Sequence, residues 1–167
     1  MGLLKRFIRQ DLANLHEHNV RIRVIGEYKA LDAEIAGLIE EACELTRANT
    51  GLNLTVAFNY GSREEIRCAV QKIAQSVKDG VLEPSDITTG LIASYLDAAN
   101  IPDPDLLIRT SGEMRLSNFL LWQCAYTEFV FVDEHWPDFD RDSLLRAIET
   151  YQGRERRFGG LSARTSS

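Results

Sequence analysis

The sequence predicts an α/β domain with a largely parallel β-sheet flanked by helices. Segments with strand-like apolar patterns alternate with segments whose apolar residues recur at helical spacing. The predicted strands are apolar on both faces, which is typical of parallel sheets covered by helices. No linker, internal repeat or low-complexity stretch divides residues 1–160. We therefore expect one domain there, followed by a disordered tail over residues 161–167.

The first third of the chain predicts two helices and two strands. The apolar spacing over Leu3–His16 predicts an amphipathic helix, and the alternation in "NVRIRVIG" predicts a strand. A long helix follows over Leu31–Leu45, which Gly51 can terminate. The stretch "LNLTVAFN" is predicted to be a buried strand because it is bounded by turn residues and is mostly apolar.

Two more helices are predicted in the middle of the chain. Ser62 and Glu65 have the spacing of a capping box, which indicates a helix that runs to about Val77. The stretch "KDGVLEPSD" is a loop, and a short helix covers roughly Thr88–Ala98. The two prolines of "NIPDPD" then break the backbone before the next strand.

The last third predicts two strands and two helices. "LLIR" and "EFVFVD" have the composition of buried strands. Between them, Ser117 is predicted to cap a helix that runs to about Ala125. The stretch "FDRDSLLRAIETYQGRERRF" is predicted to form the final helix, and "DEHWPDFD" before it is predicted to be a polar turn in which Trp136 and Phe139 anchor against the core.

Composition excludes several classes of function. The 167 residues are 44% hydrophobic and carry a net charge of -6, which argues against a nucleic-acid binder. No apolar run approaches the ~20 residues needed to span a bilayer, and no signal peptide is recognisable, so we expect a cytoplasmic protein. Cys43, Cys68 and Cys124 are too scattered for a disulfide framework and are expected to be buried thiols.

Polar residues at the predicted carboxyl ends of strands indicate an anion site. Arg109 ends one strand, and Arg115 and Ser117 lead into the predicted helix. Guanidinium forks and helix N-terminal N–H groups together suit a diphosphate. The alternative is that the arginines pair with Glu113 or Asp105 and only fix the turn.

Several separated blocks resemble one protein family. "NVRIRVIG", "NYGSREEI", "DLLIRTSGEMRLSNFLLWQCAYTEFVFVDEHWPDFD" and "RERRFGG" resemble bacterial undecaprenyl diphosphate synthases, which are cis-prenyltransferases, and the similarity runs to Gly160. The resemblance implies a homodimer that condenses isopentenyl diphosphate repeatedly onto farnesyl diphosphate to make undecaprenyl diphosphate for the cell-wall carrier lipid. It also implies an elongated apolar tunnel, and a product that brings the enzyme transiently to a membrane surface.

The resemblance assigns roles to particular residues. Arg109, Arg115, Leu116 and Ser117 match the segment that holds isopentenyl diphosphate, and Glu128 matches a carboxylate that helps hold Mg²⁺. Asn59 is a weaker substrate-site candidate, because it lies at a strand end beside the helix start predicted to bind phosphate.

Two departures from the family pattern stand out. Met114 occupies the position where many bacterial members carry a histidine of the metal site, and a thioether is a poor Mg²⁺ ligand. The chain also has no "DGNGRWA"-like loop with the family's catalytic aspartate and no "SSENW"-like segment. We therefore expect this chain to correspond to the later part of the enzyme, without its first strand and helices, and to hold no catalytic residue of its own.

Two other hypotheses remain open at this stage. The chain could be a noncatalytic accessory subunit of a cis-prenyltransferase, or a generic phosphate-binding α/β module. Other polar groups have structural interpretations. The histidines of "LHEH" point in different directions on a helix, which favours helix-end capping over a metal site.

Overall fold

The computed structural model describes residues 11–154, and its parallel strands and helices confirm the predicted α/β class. Residues 11–101 with Asn118–Trp122 form one unit, and residues 102–117 with 123–154 form another. Each unit contains one two-stranded parallel sheet. The single domain over residues 1–160 stays a prediction.

The first unit is built on strands β1, Arg21–Ile25, and β2, Asn53–Ala57. They pair in parallel, with Arg21 opposite Asn53 and Ile25 opposite Ala57. Besides two short 3₁₀ turns, the unit contains α1 over residues 11–17, α2 over Ala33–Leu45, α3 over Ser62–Lys78 and α4 over Thr89–Ser94. Both strands and α2 lie where the sequence predicts them, whereas α4 ends at Ser94 rather than Ala98.

Helix α2 packs on β1 because its apolar residues recur on one face. Ile35, Leu38, Ile39 and Ala42 of α2 are buried, as are Ile22 and Ile25 of β1. Each buried isoleucine or leucine side chain contributes about 1.5–3 kcal/mol by leaving water. This layer is the core of the first unit.

Two N–H groups at the edge of β1 that faces away from β2 donate to side chains from outside the sheet. The Ile22 N–H donates to the hydroxyl of Thr46 at 3.0 Å, and the Gly26 N–H donates to Asp97 at 3.1 Å. Thr46, rather than Gly51, follows the last residue of α2, so the predicted terminator is wrong. Gly51 lies instead where a Cβ would come within 2.6 Å of the Asn19 carbonyl oxygen, so its lack of a side chain permits that approach.

Strand β2 is not buried as predicted. Val56 is 39% exposed and Ala57 is exposed, while Leu54 is half-buried. Within the described part of the chain β2 pairs on one side only, with β1. An apolar composition therefore indicated a strand correctly but overestimated its burial.

The second unit is built on β3, Leu106–Arg109, and β4, Glu128–Phe131, with a 3₁₀ turn at Trp136–Asp138 before α5, Arg141–Gln152. Leu106 pairs with Glu128 and Arg109 with Phe131. Helix α5 packs against β4. Its N-terminus is capped by Asp140, whose carboxylate accepts from the Ser143 N–H at 2.9 Å.

The predicted helix from Ser117 to Ala125 does not form. Residues 117–126 are turns and bends, with Ser117, Asn118 and Leu120 at φ of 51°, 63° and 46°. L-residues in this left-handed region cannot continue a right-handed helix. The anion-binding helix N-terminus expected after Arg115 is therefore absent from this segment.

Three smaller predictions have mixed outcomes. Trp136 is 73% exposed and stacks on Phe139 at 6.0 Å between ring centroids, so Trp136 does not anchor the turn in the core. The three cysteines are free thiols, as expected, but only Cys124 is fully buried. The expected helix over residues 3–10, the end of the final helix from residue 155 and the expected disordered tail lie outside the described residues.

No helix within residues 11–154 combines the length and the apolar character needed to cross a bilayer.

Candidate diphosphate-binding site

The predicted arginine turn begins where β3 ends. The Arg109 carbonyl accepts from the Val132 N–H at 2.9 Å, which extends the pairing of β3 with the segment after β4. The Ser111 N–H then donates to the Glu134 carbonyl at 2.8 Å, and the Gly112 N–H donates to the Val132 carbonyl at 2.9 Å. The backbone around this turn is therefore fixed by main-chain hydrogen bonds.

Ser111 and Gly112 make the turn possible through their backbone conformations. Their φ angles are 68° and 64°, in the left-handed region that glycine adopts without strain. The chain reverses here and returns toward the end of β3, which brings Ser117 back to Arg109.

Arg109 connects the two ends of the loop. Its guanidinium donates to the Arg115 carbonyl and, at 3.1 Å, to the Ser117 hydroxyl. Arg109 is half-buried, whereas Arg115 and Ser117 are exposed. The structure thus brings Arg109 and Ser117 into contact in the loop that carries Arg115, and Arg109 holds this loop as well as offering charge.

Arg115 forms an ion pair with Glu113, as the structural alternative anticipated. The Arg115 side chain is nevertheless 65% exposed, so this pair is a surface contact of small net energy. Leu116 is half-buried between Arg115 and Ser117, and Met114 is 77% exposed. An incoming anion can therefore compete with Glu113 for the Arg115 guanidinium.

Asn59 lies in the first unit, in a turn after β2, and makes local contacts. It has φ of 48°, its carbonyl accepts from the Glu27 N–H at 3.3 Å, and its amide donates to the Glu27 carbonyl at 3.4 Å. These hydrogen bonds tie together the segments that follow β1 and β2. They give Asn59 a structural role at that end of the sheet.

The start of α3 was also predicted to bind phosphate, and a capping box of Ser62 and Glu65 was predicted there. The box does not form, because Gly61 is the N-cap and Ser62 is the first helical residue. The Glu64 and Glu65 N–H groups donate to the Gly61 carbonyl, each at 3.0 Å. The Ser62 and Arg63 N–H groups donate to Asn118, at 2.8 and 2.9 Å. The first four N–H groups of α3 are thus engaged within the protein, which leaves none of them for a phosphate.

Glu65 takes part in a different network. It is 5% exposed, accepts from the Tyr60 hydroxyl, and accepts from the Asp97 N–H at 2.9 Å. Burial, followed by the hydrogen bond to Glu65, raises the pKa of Tyr60 well above its usual range. Sequence reasoning missed this network because its members lie 5 and 32 residues apart.

Glu128 does not join the arginines. It begins β4 opposite Leu106, three residues and so about 10 Å along β3 from Arg109. Its carboxylate pairs with Arg154 at 3.0 Å and is 31% exposed. Among residues 11–154 no group of three or more acidic, histidine or cysteine side chains could hold a metal ion. This donor set fits a Mg²⁺ ion held mainly by substrate phosphates, with one protein carboxylate, and does not fit an all-protein site.

The first unit also contains an apolar cavity of about 240 Å³. Its lining is almost entirely aliphatic and aromatic, contributed by α1, β1, α2 and β2: Leu12, Leu15, Ile22, Val24, Ile39, Ala42, Leu54, Val56 and Phe58, with Asp11 at the wall. Strand β2 thus contributes Leu54 and Val56 to the cavity wall.

Comparisons with known proteins agree with the geometry. Residues 1–159 match the family model Prenyltransf, described as "Putative undecaprenyl diphosphate synthase". An isoprenyl transferase of Brucella suis is 59% identical over 167 residues, and another from Geobacillus kaustophilus is 53% identical over 164 residues. The matched regions cover 100% and 98% of this chain but 66% and 64% of those proteins. The chain thus spans less than two thirds of the length of these curated relatives.

Two solved structures resemble the chain. Lavandulyl diphosphate synthase from Lavandula x intermedia, in complex with dimethylallyl diphosphate, has a TM-score of 0.91 at 38% identity, covering 95% of this chain and 69% of that one. A probable undecaprenyl diphosphate synthase from Campylobacter jejuni has a TM-score of 0.80 at 32% identity, covering 95% and 72%. With the family match over residues 1–159, these likenesses show that the chain belongs to the undecaprenyl diphosphate synthase family of prenyltransferases.

Proposed function

We propose that the protein containing this chain is a cis-prenyltransferase that condenses isopentenyl diphosphate onto farnesyl diphosphate to make undecaprenyl diphosphate. In this proposal the described residues supply the isopentenyl diphosphate end of the site. The observation that carries it is the hydrogen bond from Arg109 to Ser117 beside an exposed Arg115, in a chain of the prenyltransferase family. We further propose that the protein acts in the cytoplasm as a homodimer, and that its product brings it transiently to a membrane surface.

Arg115 and Ser117 bind the diphosphate of isopentenyl diphosphate in this proposal. The Arg115 guanidinium exchanges its surface ion pair with Glu113 for bidentate contacts to phosphate oxygens. The Ser117 hydroxyl accepts from Arg109 and therefore has its own proton free to donate to the same anion. The contribution of these side chains to rate is positioning of the nucleophilic double bond.

Condensation breaks the C–O bond between the allylic carbon and its diphosphate. The double bond of isopentenyl diphosphate attacks that carbon, and loss of a proton leaves the new cis double bond. When bound, Mg²⁺ neutralises charge on the departing diphosphate. Glu128 is the described residue that would help hold it, on giving up its pair with Arg154.

The apolar cavity of the first unit is a suitable place for a growing isoprenoid tail in this proposal. Its wall is apolar apart from Asp11, as a hydrocarbon chain requires. At about 240 Å³ the cavity is smaller than the roughly 300–1,000 Å³ of typical ligand pockets. In this proposal the residues that line the cavity supply part of a tunnel wall.

An accessory subunit is the second candidate. Because the 167 residues contain no aspartate loop like the family's "DGNGRWA", we propose that this chain alone catalyses no condensation. An exposed Arg115 with a hydroxyl nearby gives weight to the enzyme, because a purely structural subunit has no need of them. A generic phosphate-binding module is disfavoured by the family match over residues 1–159.

The test is incorporation of radiolabelled isopentenyl diphosphate into a farnesyl diphosphate primer. We expect none from the 167-residue chain and turnover after an aspartate-loop segment from a relative is supplied covalently or in trans. Calorimetry on the chain alone should detect binding of isopentenyl diphosphate. Turnover by the bare chain would mean that the catalytic centre lies within it, and failure of the supplemented protein would favour the accessory subunit.

A further inference from the structure

We infer that His135 is a positioning residue for the diphosphate-binding loop, residues 109–117, and that it acts through the hydroxyl of Ser111. The inference rests on the proposed function, because it concerns the loop that presents Arg115 and Ser117 to the diphosphate. His135 lies in "DEHWPDFD", to which the sequence assigned only a turn. All of these residues belong to the second unit.

Position 111 holds a serine where the backbone favours glycine. Ser111 and Gly112 have φ of 68° and 64°, in the left-handed region that L-residues rarely adopt. Such conformations persist where surrounding contacts hold them, and they are frequent at functional sites. Glycine adopts this conformation without strain, so what serine adds at this position is its hydroxyl.

The Ser111 hydroxyl has its partner in His135. Its oxygen lies 3.3 Å from the Nδ1 atom of the imidazole, within hydrogen-bond distance. A hydroxyl can donate or accept, so the hydrogen bond forms whichever ring nitrogen carries the proton. The Ser111 N–H also donates to the Glu134 carbonyl at 2.8 Å. Two consecutive residues after β4 thus hold both the backbone and the side chain of Ser111.

The segment that carries His135 is itself fixed by backbone hydrogen bonds. The His135 carbonyl accepts from the Asp138 N–H at 2.9 Å. Before it, the Val132 N–H donates to the Arg109 carbonyl and the Val132 carbonyl accepts from the Gly112 N–H, each at 2.9 Å. The imidazole therefore extends from a segment that is hydrogen-bonded on both sides of it.

The diphosphate-binding loop is held near both of its ends. Arg109 holds the far end, through the Arg115 carbonyl and the Ser117 hydroxyl. The near end is held at the chain reversal, where Ser111 contacts the segment after β4. Loss of the contact with His135 loosens this reversal, and with it the positions of Arg115 and Ser117. His135 therefore affects affinity for the diphosphate without contacting it.

The exposure of His135 and Ser111 sets the size of the effect. Both residues are exposed, so water competes for their hydrogen bond. The expected loss of affinity is therefore modest, about two- to fivefold, the equivalent of one weak hydrogen bond. Substitutions at exposed positions usually change folding stability little. We thus expect a loss of affinity with an unchanged Tm.

The experiment measures the Kd of isopentenyl diphosphate for the 167-residue chain by calorimetry, and Tm by circular dichroism. His135→Leu removes the hydrogen bond and should weaken binding about two- to fivefold. His135→Asn should bind within about 1.5-fold of the unaltered chain, because its amide takes the place of Nδ1. His18→Leu is the matched control and should leave the Kd unchanged. His18 is also exposed, and its Nδ1 atom lies 2.8 Å from the Asn14 carbonyl oxygen in the first unit.

A double-mutant cycle tests whether the effect passes through Ser111. Ser111→Gly suits the left-handed backbone and removes the hydroxyl, so it should weaken binding about as much as His135→Leu. The double variant should lose no more than either single variant, since both remove the same hydrogen bond. Unchanged affinity in His135→Leu, equal losses in His135→Leu and His135→Asn, or losses that multiply in the double variant would each overturn the inference. If His135→Leu does not fold, unchanged affinity in Ser111→Gly overturns it instead.

Failure of the proposed function gives a different result. If the unaltered chain and Arg115→Ala have the same Kd for isopentenyl diphosphate, the site itself is wrong and His135 has nothing to position. If Arg115→Ala loses affinity while His135→Leu does not, the site stands and only the role of His135 fails.

Discussion

Arg115→Ala should weaken binding of isopentenyl diphosphate by a factor of about ten to a hundred. The side chain is 65% exposed, so its pair with Glu113 adds little to folding, about 0–1 kcal/mol for a surface ion pair. A charge-assisted contact to a phosphate is stronger, at about 1.5–3 kcal/mol. Division by about 1.4 kcal/mol per decade gives the stated range.

Calorimetric titration of the 167-residue chain measures this loss directly. Arg146→Ala is the matched control, because Arg146 is also exposed, at 59%, and also pairs with a glutamate in the same unit, Glu134. Both variants remove one surface ion pair and one positive charge. Only Arg115→Ala should change affinity, so the comparison separates a local contact from a general loss of charge.

Two further variants sharpen the argument. Arg115→Lys should recover part of the affinity, because lysine supplies charge without the planar fork. Glu113→Gln should tighten binding severalfold, since the diphosphate no longer has to displace a carboxylate from Arg115. Equal affinities in the unaltered chain, Arg115→Ala and Arg146→Ala would refute the assignment of Arg115.

Periodic patterns in the sequence predicted most of the fold. Strand β1 and the long helix α2 lie where their apolar spacing placed them, and β3 and β4 lie where apolar composition placed them. These signals are contained within one element each, so local sequence carries the information. Burial of β2 was overestimated because composition alone does not say what covers a strand.

Short signals at helix starts were wrong for a common reason. Ser62 and Glu65 have capping-box spacing, and serine, as at Ser117, is a residue type favoured at the N-cap. Neither serine caps a helix. A motif of three or four residues competes with tertiary hydrogen bonds of similar energy. Here Asn118 and Tyr60 provide them, to α3 and to Glu65.

For the candidate site, too, local features could be predicted from the sequence and tertiary contacts could not. Arg109 and Ser117 could be located from sequence, because a strand end followed by a polar turn is a local feature. The hydrogen bond between them could not, since it depends on a loop that closes through left-handed residues. The family resemblance assigned Glu128 to the metal and the arginines to the diphosphate, and strand register places Glu128 about 10 Å along β3 from Arg109.

Three remaining predictions concern stability, pH and metal. Thr46→Val keeps the shape of a fully buried side chain but leaves the Ile22 N–H of β1 without its acceptor. The free energy of unfolding in urea should therefore fall by about 1–3 kcal/mol. Thr50→Val, at an exposed position, should change it little. The backbone N–H three residues later lowers the pKa of Asp140 below its ordinary value of 3.8. Its stabilising effect is therefore present above that value and lost as pH falls through the lower, folded pKa; Asp140→Ser, a cap that does not titrate, should reduce the fall in Tm below about pH 4. Glu128→Gln should weaken binding of isopentenyl diphosphate at low Mg²⁺, and the defect should shrink as Mg²⁺ is raised, because the amide removes one anionic ligand while the phosphates keep theirs. Glu134→Gln is its control, since it also breaks a glutamate–arginine pair, at 2.6 Å against 3.0 Å, without a proposed metal role. If both variants lose Tm alike and neither changes the Mg²⁺ dependence, Glu128 serves only to hold the start of β4.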